Sequence, residues 1–323
     1  MIFLSDFHNE TKKIDNQRRC FHYLAGANCN QFISAHSIQK KRQLNYIAEN
    51  GHVYRLSADL FTLKKNGGMP FLKKIGINNA STFFGFCKYH DNQLFECIDN
   101  QPLFPNYQQI ALYAYRSICR ELFEKQNSVH VAEKMIYSPK LAQYKKLLLN
   151  SFLSGNRLGL EVLMHHKSIY DKALSNNDFS EFRFVCFRAS KQCNLQVSGL
   201  IYPDFDFQGR QIQDLTNKIQ PWDLITFFTA PLTNGWAYCF AWHISSSKTC
   251  KPFIQSLAIK FQRSGSLEDI LLNFSLLSSE NHAIRISWWD SLNKISQKEI
   301  IRKIGVRANI QEPINPNYLT SGC

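Results

Sequence analysis

Apolar and polar positions change their period along the chain. From "QPLFPNYQQ" onward, Tyr107, Ile110, Ala111, Ala114, Ile118 and Leu122 recur at steps of three and four. That spacing predicts a helix with one apolar face, with Pro105 at or just before its first turn. "YSPKLAQYKKLLLNSFL" predicts a second helix starting at Pro139, with Ser138 as its N-cap. A third is predicted from about Asn156 to Leu174, stopped by the polar "SNND". His165 and His166 fall on it as neighbours about 100° apart, which suits surface or interface roles better than a shared site.

Beyond residue 179 the period becomes two. "EFRFVCFRA" places Phe182, Phe184 and Cys186 on one strand face, and "NLQVSGLIY" does the same for Leu195, Val197, Gly199 and Ile201. "WDLITFFTAPLTNGWAYCFAWHIS" reads as an antiparallel hairpin turning at Asn234-Gly235. "SLEDILLNFSLL" and "SWWDSLNKISQKEIIRKIG" predict helices packed on that sheet, with Trp288-Trp289 as an anchor. The tail from about Ala308 is expected to be loose. Three regions follow: 1–100, punctuated by Gly and Asn; 101–178, helical; and 179–323, rich in strand signals.

Composition agrees with a globular chain: 323 residues, 44% hydrophobic, with 25 Phe and 13 Tyr. The formal net charge is +13, and it is uneven. Residues 1–74 hold twelve of the 38 Lys and Arg but five of the 25 Asp and Glu. Clusters such as Lys12/Lys13, Arg18/Arg19, Lys40/Lys41/Arg42 and Lys73/Lys74 form either a solvated face or a grip on a polyanion, nucleic acid ahead of membrane. No stretch of about 18–20 residues stays apolar, and "MIFLSDFHNE" lacks the layout of a signal peptide. A cytoplasmic setting is therefore expected, with the ten cysteines as free thiols or metal ligands. Cys119, Cys186, Cys239 and Cys250 sit in apolar surroundings and read as small core residues.

The chemistry concentrates in Cys20, Cys29, His36, Cys87 and His90. Zinc takes thiolate and imidazole in a tetrahedron. Cys87-x2-His90 has the spacing of a knuckle opening a helix, and Asp91 suits the dipole at that start. Cys20-x8-Cys29 is a wider pair whose "LAGAN" supplies small residues for a looped-out knuckle. Cys97 is an alternative ligand, and His22 follows Cys20 too closely to be the obvious choice. A treble clef, made of a knuckle, a hairpin and a second knuckle at a helix start, tolerates a long insertion between its halves. Walker, dinucleotide-binding and nucleophile-elbow motifs are absent.

Taken in order, "C-x8-C…AHSIQ…GHVY…GINNASTFFGFCKYHDNQLF" resembles the HNH, or ββα-metal, group of treble-clef proteins, over about residues 18–98. The resemblance implies His36 as a general base activating water and Asn78 or Asn79 orienting it. It implies His90 or Asp91 holding a Mg2+ or Mn2+ ion on the scissile phosphate. Two departures stand out. Ala35 occupies a position that is often acidic in the family, and "SIQKKRQLNYIA" reads as a helix where the nuclease hairpin has a strand. His90 cannot easily serve both ions.

The expected fold is therefore α+β: an N-terminal treble-clef-like zinc module, a helical middle and a C-terminal antiparallel β-sheet with packed helices. Three functions fit. One is an HNH-type endonuclease acting on DNA or RNA, with catalytic His36, Asn79 and Asp91 and a zinc site of Cys20, Cys29, Cys87 and His90. The second is a non-enzymatic zinc-stapled module binding nucleic acid or protein. The third is a ligand sensor built on the aromatic C-terminal region.

Overall fold

A computed structural model of the chain describes residues 2–139, 141–190, 193–264 and 266–308. Its strands are β1 (Phe32–His36), β2 (His52–Ser57), β3 (Phe71–Gly76), β4 (Thr82–Cys87), β5 (Phe182–Ala189), β6 (Leu195–Ile201), β7 (Ile225–Pro231), β8 (Trp236–His243) and β9 (His282–Ile284). Its helices are α1 (Ile2–Asp15), α2 (Asn45–Ile47), α3 (Leu60–Lys65), α4 (Lys88–Asp99), α5 (Tyr107–Ile136), α6 (Gln143–Asn176), α7 (Ser247–Ser264), α8 (Leu267–Ser278), α9 (Ile286–Ser291) and α10 (Lys294–Ala308). The fold is α+β, with an antiparallel sheet and packed helices. The tail expected to be loose lies outside the described residues from 309 onward.

Seven strands form one antiparallel sheet in the order β3-β2-β9-β6-β7-β8-β5. Its middle is buried on both faces: every residue of β7 from Ile225 to Ala230 is buried, Thr226 and Thr229 included. Phe228 and Ala230 of β7, with Ala237, Cys239 and Ala241 of β8, turn toward α5. Ile225, Phe227, Phe240 and Trp242 turn the other way, against Cys250, Phe253 and Leu257 of α7 and Phe274 of α8. The β7–β8 hairpin closes at Asn234-Gly235 as its sequence predicts. Gly235 has φ +93, and a Cβ there would meet the Ala189 carbonyl oxygen at 2.2 Å.

Helix α5 is the spine of the molecule. Every residue from Gln109 to Arg120 is buried. Its apolar residues reach the sheet, α6 and the small β1–β4 unit together. A helix covered on every side no longer needs a polar face, so its polar residues must find partners. Ser117 meets the Ser198 hydroxyl of β6 at 2.7 Å. Arg120 pairs with Glu121 and Glu124, and Arg116 with Asp99.

The structure corrects several expectations. The two helices expected from Pro139 and Asn156 are one helix, α6, entered at Ala142 without a side-chain cap; Ser138 caps nothing there. The stop holds: Asn177 takes the left-handed conformation and ends α6. Cys186 and Cys239 are not free core thiols; they lie opposite each other on β5 and β8, Cα atoms 4.2 Å apart, joined as a disulfide. After His36 the expected helix is only partial. β1 ends on His36, and a π-helical turn, Lys40–Leu44, leads into α2. That turn docks on the large sheet through Gln43, whose amide donates to the Thr229 carbonyl at 2.5 Å. Helices α1 and α7 and the strands β2, β3 and β9 were not anticipated by pattern; β2 and β3 bring residues 52–76 into the same sheet as residues 182–284.

Candidate metal centre and adjoining cleft

The small unit is a two-stranded ladder followed by a helix. Phe32 faces Cys87, Ile33 faces Phe86 and His36 faces Thr82, with an irregularity in register between Ile33 and Ala35. α4 starts directly after β4, and Cys87 is its N-cap, its sulfur accepting the His90 backbone N–H at 3.5 Å. One helical turn therefore aims Cys87 and His90 at the same point. The segment carrying Cys20 is tied to β4 by Arg19 N–H to the Phe84 carbonyl and Phe21 N–H to the Gly85 carbonyl, at 3.1 and 2.9 Å. From there the chain loops out through Gly26 and Asn28, both at positive φ, and returns Cys29, whose sulfur accepts the Gly26 N–H at 3.4 Å.

Cys20, Cys29, Cys87 and His90 converge, with all four donor atoms within 4.8 Å of one another. The three sulfurs lie 3.5, 3.5 and 3.2 Å from His90 Nδ1. Zinc bond lengths and a tetrahedral angle require S···N separations of about 3.5 Å. The donor set and its spacing thus fit one metal ion. Electrostatics point the same way. Burial pushes the Cys20 thiol up to about 11, and the nearby Cys87 and Cys29 add to that. Three thiolates share so small a space only around a cation. Cys97, the alternative ligand, lies further along α4 and is outside the group. His22 is also outside; its Nδ1 accepts the Leu24 N–H at 3.0 Å and its ring stacks on His90, centroids 4.0 Å apart.

A cleft of about 810 Å³ opens between β1 and α4, lined by His36, Lys40, Lys41, Asp91, Asp99 and Arg116 among others. His36 Nε2 sits 3.0 Å from the Ile77 carbonyl oxygen. A carbonyl only accepts, so this contact places the ring proton on Nε2 and leaves the lone pair on Nδ1. Burial holds the His36 pKa below its ordinary 6.5; the Ile77 hydrogen bond opposes this, and Lys40 and Arg116 add to the lowering. The imidazole is therefore neutral at pH 7.

Asp91, in the first turn of α4, also lines the cleft, and one of its carboxylate oxygens is buried without a hydrogen-bond partner. Burial raises its pKa, with Arg116 opposing and Asp99 reinforcing. Asp99 is committed elsewhere: Arg116 Nη1 and Nη2 donate to its two oxygens at 2.7 and 2.9 Å. The guanidinium also lies over the Phe95 ring, 3.9 Å from its centroid.

Not every candidate reaches the cleft. Asn79 is exposed in the turn before β4, its N–H bonded to the Gly76 carbonyl and its own carbonyl to the Thr82 hydroxyl. Asn79 does not line the cleft, and the contact that orients His36 comes from the Ile77 backbone instead. Ala35 does border the cleft, though it is 2% exposed, and its methyl group offers no metal ligand. Arg116 is the site residue that local patterning misses, since it lies on α5, eighty positions after His36. The available signal is an arginine inside an apolar helix stretch, which demands a partner.

Among the described residues, no helix is long and apolar enough to cross a membrane. In comparisons with known proteins, no family model matches the chain, and no curated protein or solved structure matches it.

Proposed function

We propose that the protein is a zinc-stapled nucleic-acid-associating protein of HNH-like, treble-clef type, and that His36 is the general base of a phosphodiester-cleaving site. One observation carries this reading: His36, kept neutral by burial and with its Nε2–H given to the Ile77 carbonyl, lines the cleft that also holds Asp91. His36 would take a proton from water at Nδ1. Lys40 and Lys41, exposed on the cleft wall, would hold the phosphate backbone. Asp91 offers the carboxylate oxygen to which a Mg2+ or Mn2+ ion would attach, and such an ion supplies charge stabilisation at the phosphate. Zinc in the Cys3His cluster would fix the loop, hairpin and helix relative to each other and take no part in the chemistry.

A second reading, a non-enzymatic nucleic-acid-binding module, draws support from the same cleft. Ala35 supplies no acid, Asp99 is neutralised by Arg116, and the Arg116 charge disfavours a cation beside Asp91. Incubating the zinc-loaded protein with labelled DNA and RNA in Mg2+ or Mn2+ separates the two. Cleavage that His36→Ala abolishes supports the nuclease. Binding without cleavage, or equal cutting by the variant, leaves the second reading.

A further inference from the structure

Two more concavities adjoin the His36 cleft. Gln93 and Glu96 of α4 and Asn100, which caps it, line both that cleft and a second one of about 480 Å³, which also contains His22 and Tyr23. Gln108 and Phe179 line both the second and a third of about 610 Å³, which ends at Tyr107 and Arg183. The three therefore lie in a row with shared walls. A compact ligand would occupy one of them; only a linear ligand several units long touches all three.

The walls carry a repeating chemistry. Tyr89 stands at the His36 end and Tyr107 at the far end, both 49% exposed, with Tyr23 and Phe179 between them. Side-chain amides, Gln93, Asn100 and Gln108, separate the rings. Cations mark both ends: Lys40 and Lys41 in the first cleft, and Arg183 in the third. Arg183 is held in place by hydrogen bonds from Nη1 to the Ser180 and Phe182 carbonyls, both 2.7 Å. Asp91 and Asp99 belong to the first cleft; the exposed Glu96 is the acid of the shared wall.

We propose that the three concavities form one track for a single-stranded nucleic acid, leading an unpaired strand past His36. The inference rests on the nucleic-acid reading above and adds strandedness to it. Aromatic rings in a groove wall can stack only on bases whose faces are free, and a duplex hides those faces in its own stack. Amides between the rings suit base edges, and the terminal cations suit a phosphate backbone. Tyr107 and Arg183 lie away from the metal cluster and the His36 cleft, so they test the track without disturbing either.

The test is fluorescence anisotropy with zinc-loaded protein and no added Mg2+. The probes are labelled oligothymidylates of about 5, 10 and 20 nucleotides and a duplex of about 20 base pairs. The single strand is expected to bind about tenfold tighter than the duplex, with affinity rising as length spans the row. Tyr107→Ala should weaken single-strand binding about fivefold or more, Tyr107→Phe should restore it, and duplex binding should not change. Arg183→Gln should lower the dependence of log affinity on log salt by about one. Equal affinity for both forms, or a Tyr107→Ala variant that melts like wild type and binds the single strand unchanged, overturns the track. If Tyr107→Ala is unstable, Arg183→Gln decides, and an unaltered salt slope overturns it. Duplex binding alone defeats the track and leaves nucleic-acid association standing; binding to neither form defeats both.

Discussion

Cys87 and His90 stand one helical turn apart at the start of α4 and hold their donor atoms 3.2 Å from each other. The backbone of that turn sets the pair, and Cys20 and Cys29 complete it from a loop that has little other structure. The loop should therefore depend on the metal more than α4 does. Purified protein is expected to carry about one equivalent of zinc by elemental analysis. Cys29→Ser or Cys87→Ser should drop this below about half an equivalent and lower the melting temperature. A chelator should raise backbone exchange first in residues 20–29. Wild-type protein that melts identically with and without chelator, free of zinc, would dismiss the metal.

The metal loop is anchored from behind by Tyr115. This α5 side chain is fully buried, and its hydroxyl lies 2.7 Å from both the Phe21 carbonyl and an Asp171 carboxylate oxygen. Tyr115→Phe keeps the ring and removes the one O–H that the two acceptors share; Asp171 still accepts from Lys167, so the Phe21 carbonyl is the group left without that donor. The expected cost is about 1–2 kcal/mol in urea unfolding. Zinc should also dissociate faster from the variant, because Phe21 directly follows the ligand Cys20. An unchanged unfolding midpoint would show that water replaces the hydroxyl without loss.

Arg116 and Asp99 make a third testable pair. Arg116 is 2% exposed, and its two hydrogen bonds to Asp99 run beneath the His36 cleft. Asp99→Asn leaves the buried guanidinium without its counter-charge and should cost about 3 kcal/mol. Arg116→Met leaves a partly exposed carboxylate, which water can solvate, so the cost should be smaller. The double variant should be more stable than the sum of the single losses implies. Additive losses across that double-mutant cycle would mean that the pair contributes no coupling.

What the sequence made legible follows from the range of each signal. The α5 helix, the β7–β8 hairpin and the Cys87-x2-His90 turn depend on residues a few positions apart, and each appears where its spacing places it. The single apolar face expected of α5 does not, since Gln109 to Arg120 are buried all round and Tyr107 is exposed. Cys20 and Cys29 were legible as residue types, and the fold brings them into one cluster with Cys87 and His90 that could hold an ion. The pattern divides α6 at about Asn156, while packing against α5 carries the helix through that point; Pro139 lies outside it, four residues before its start. Strand β9 is three residues long and is defined by its neighbours β2 and β6, so no local period marks it. Arg116 stands out only as an arginine in an apolar stretch, with nothing nearby to name its partner. Its role comes from α5 passing behind α4, which only the folded chain brings about.

Acid should unfold the protein through two buried histidines. Burial depresses the pKa of His166 and of His282 from about 6.5 to about 4. Arg55 and Arg120 reinforce this for His282, and the hydrogen bond to the Ser279 carbonyl opposes it. Its bonding gives the reason in atoms: Nδ1–H donates to the Ser279 carbonyl at 2.9 Å, while the Nε2 lone pair accepts the Leu56 N–H at 3.1 Å. A proton on Nε2 would displace that N–H in a site without water access. His166 similarly donates from Nε2 to the Trp222 carbonyl at 2.7 Å and is 3% exposed. The unfolded chain takes up these protons near pH 6.5 and the folded chain only near pH 4. Stability from both groups is therefore fully present above about pH 6.5 and is lost as pH falls toward 4, by about 3 kcal/mol for each. Urea midpoints measured between these limits should fall steadily with acid. His282→Gln, which keeps an amide donor and an acceptor, should flatten the slope while lowering the midpoint at pH 7. A wild-type midpoint that does not move across this window would mean that both imidazoles are charged, or reach water, in the native fold.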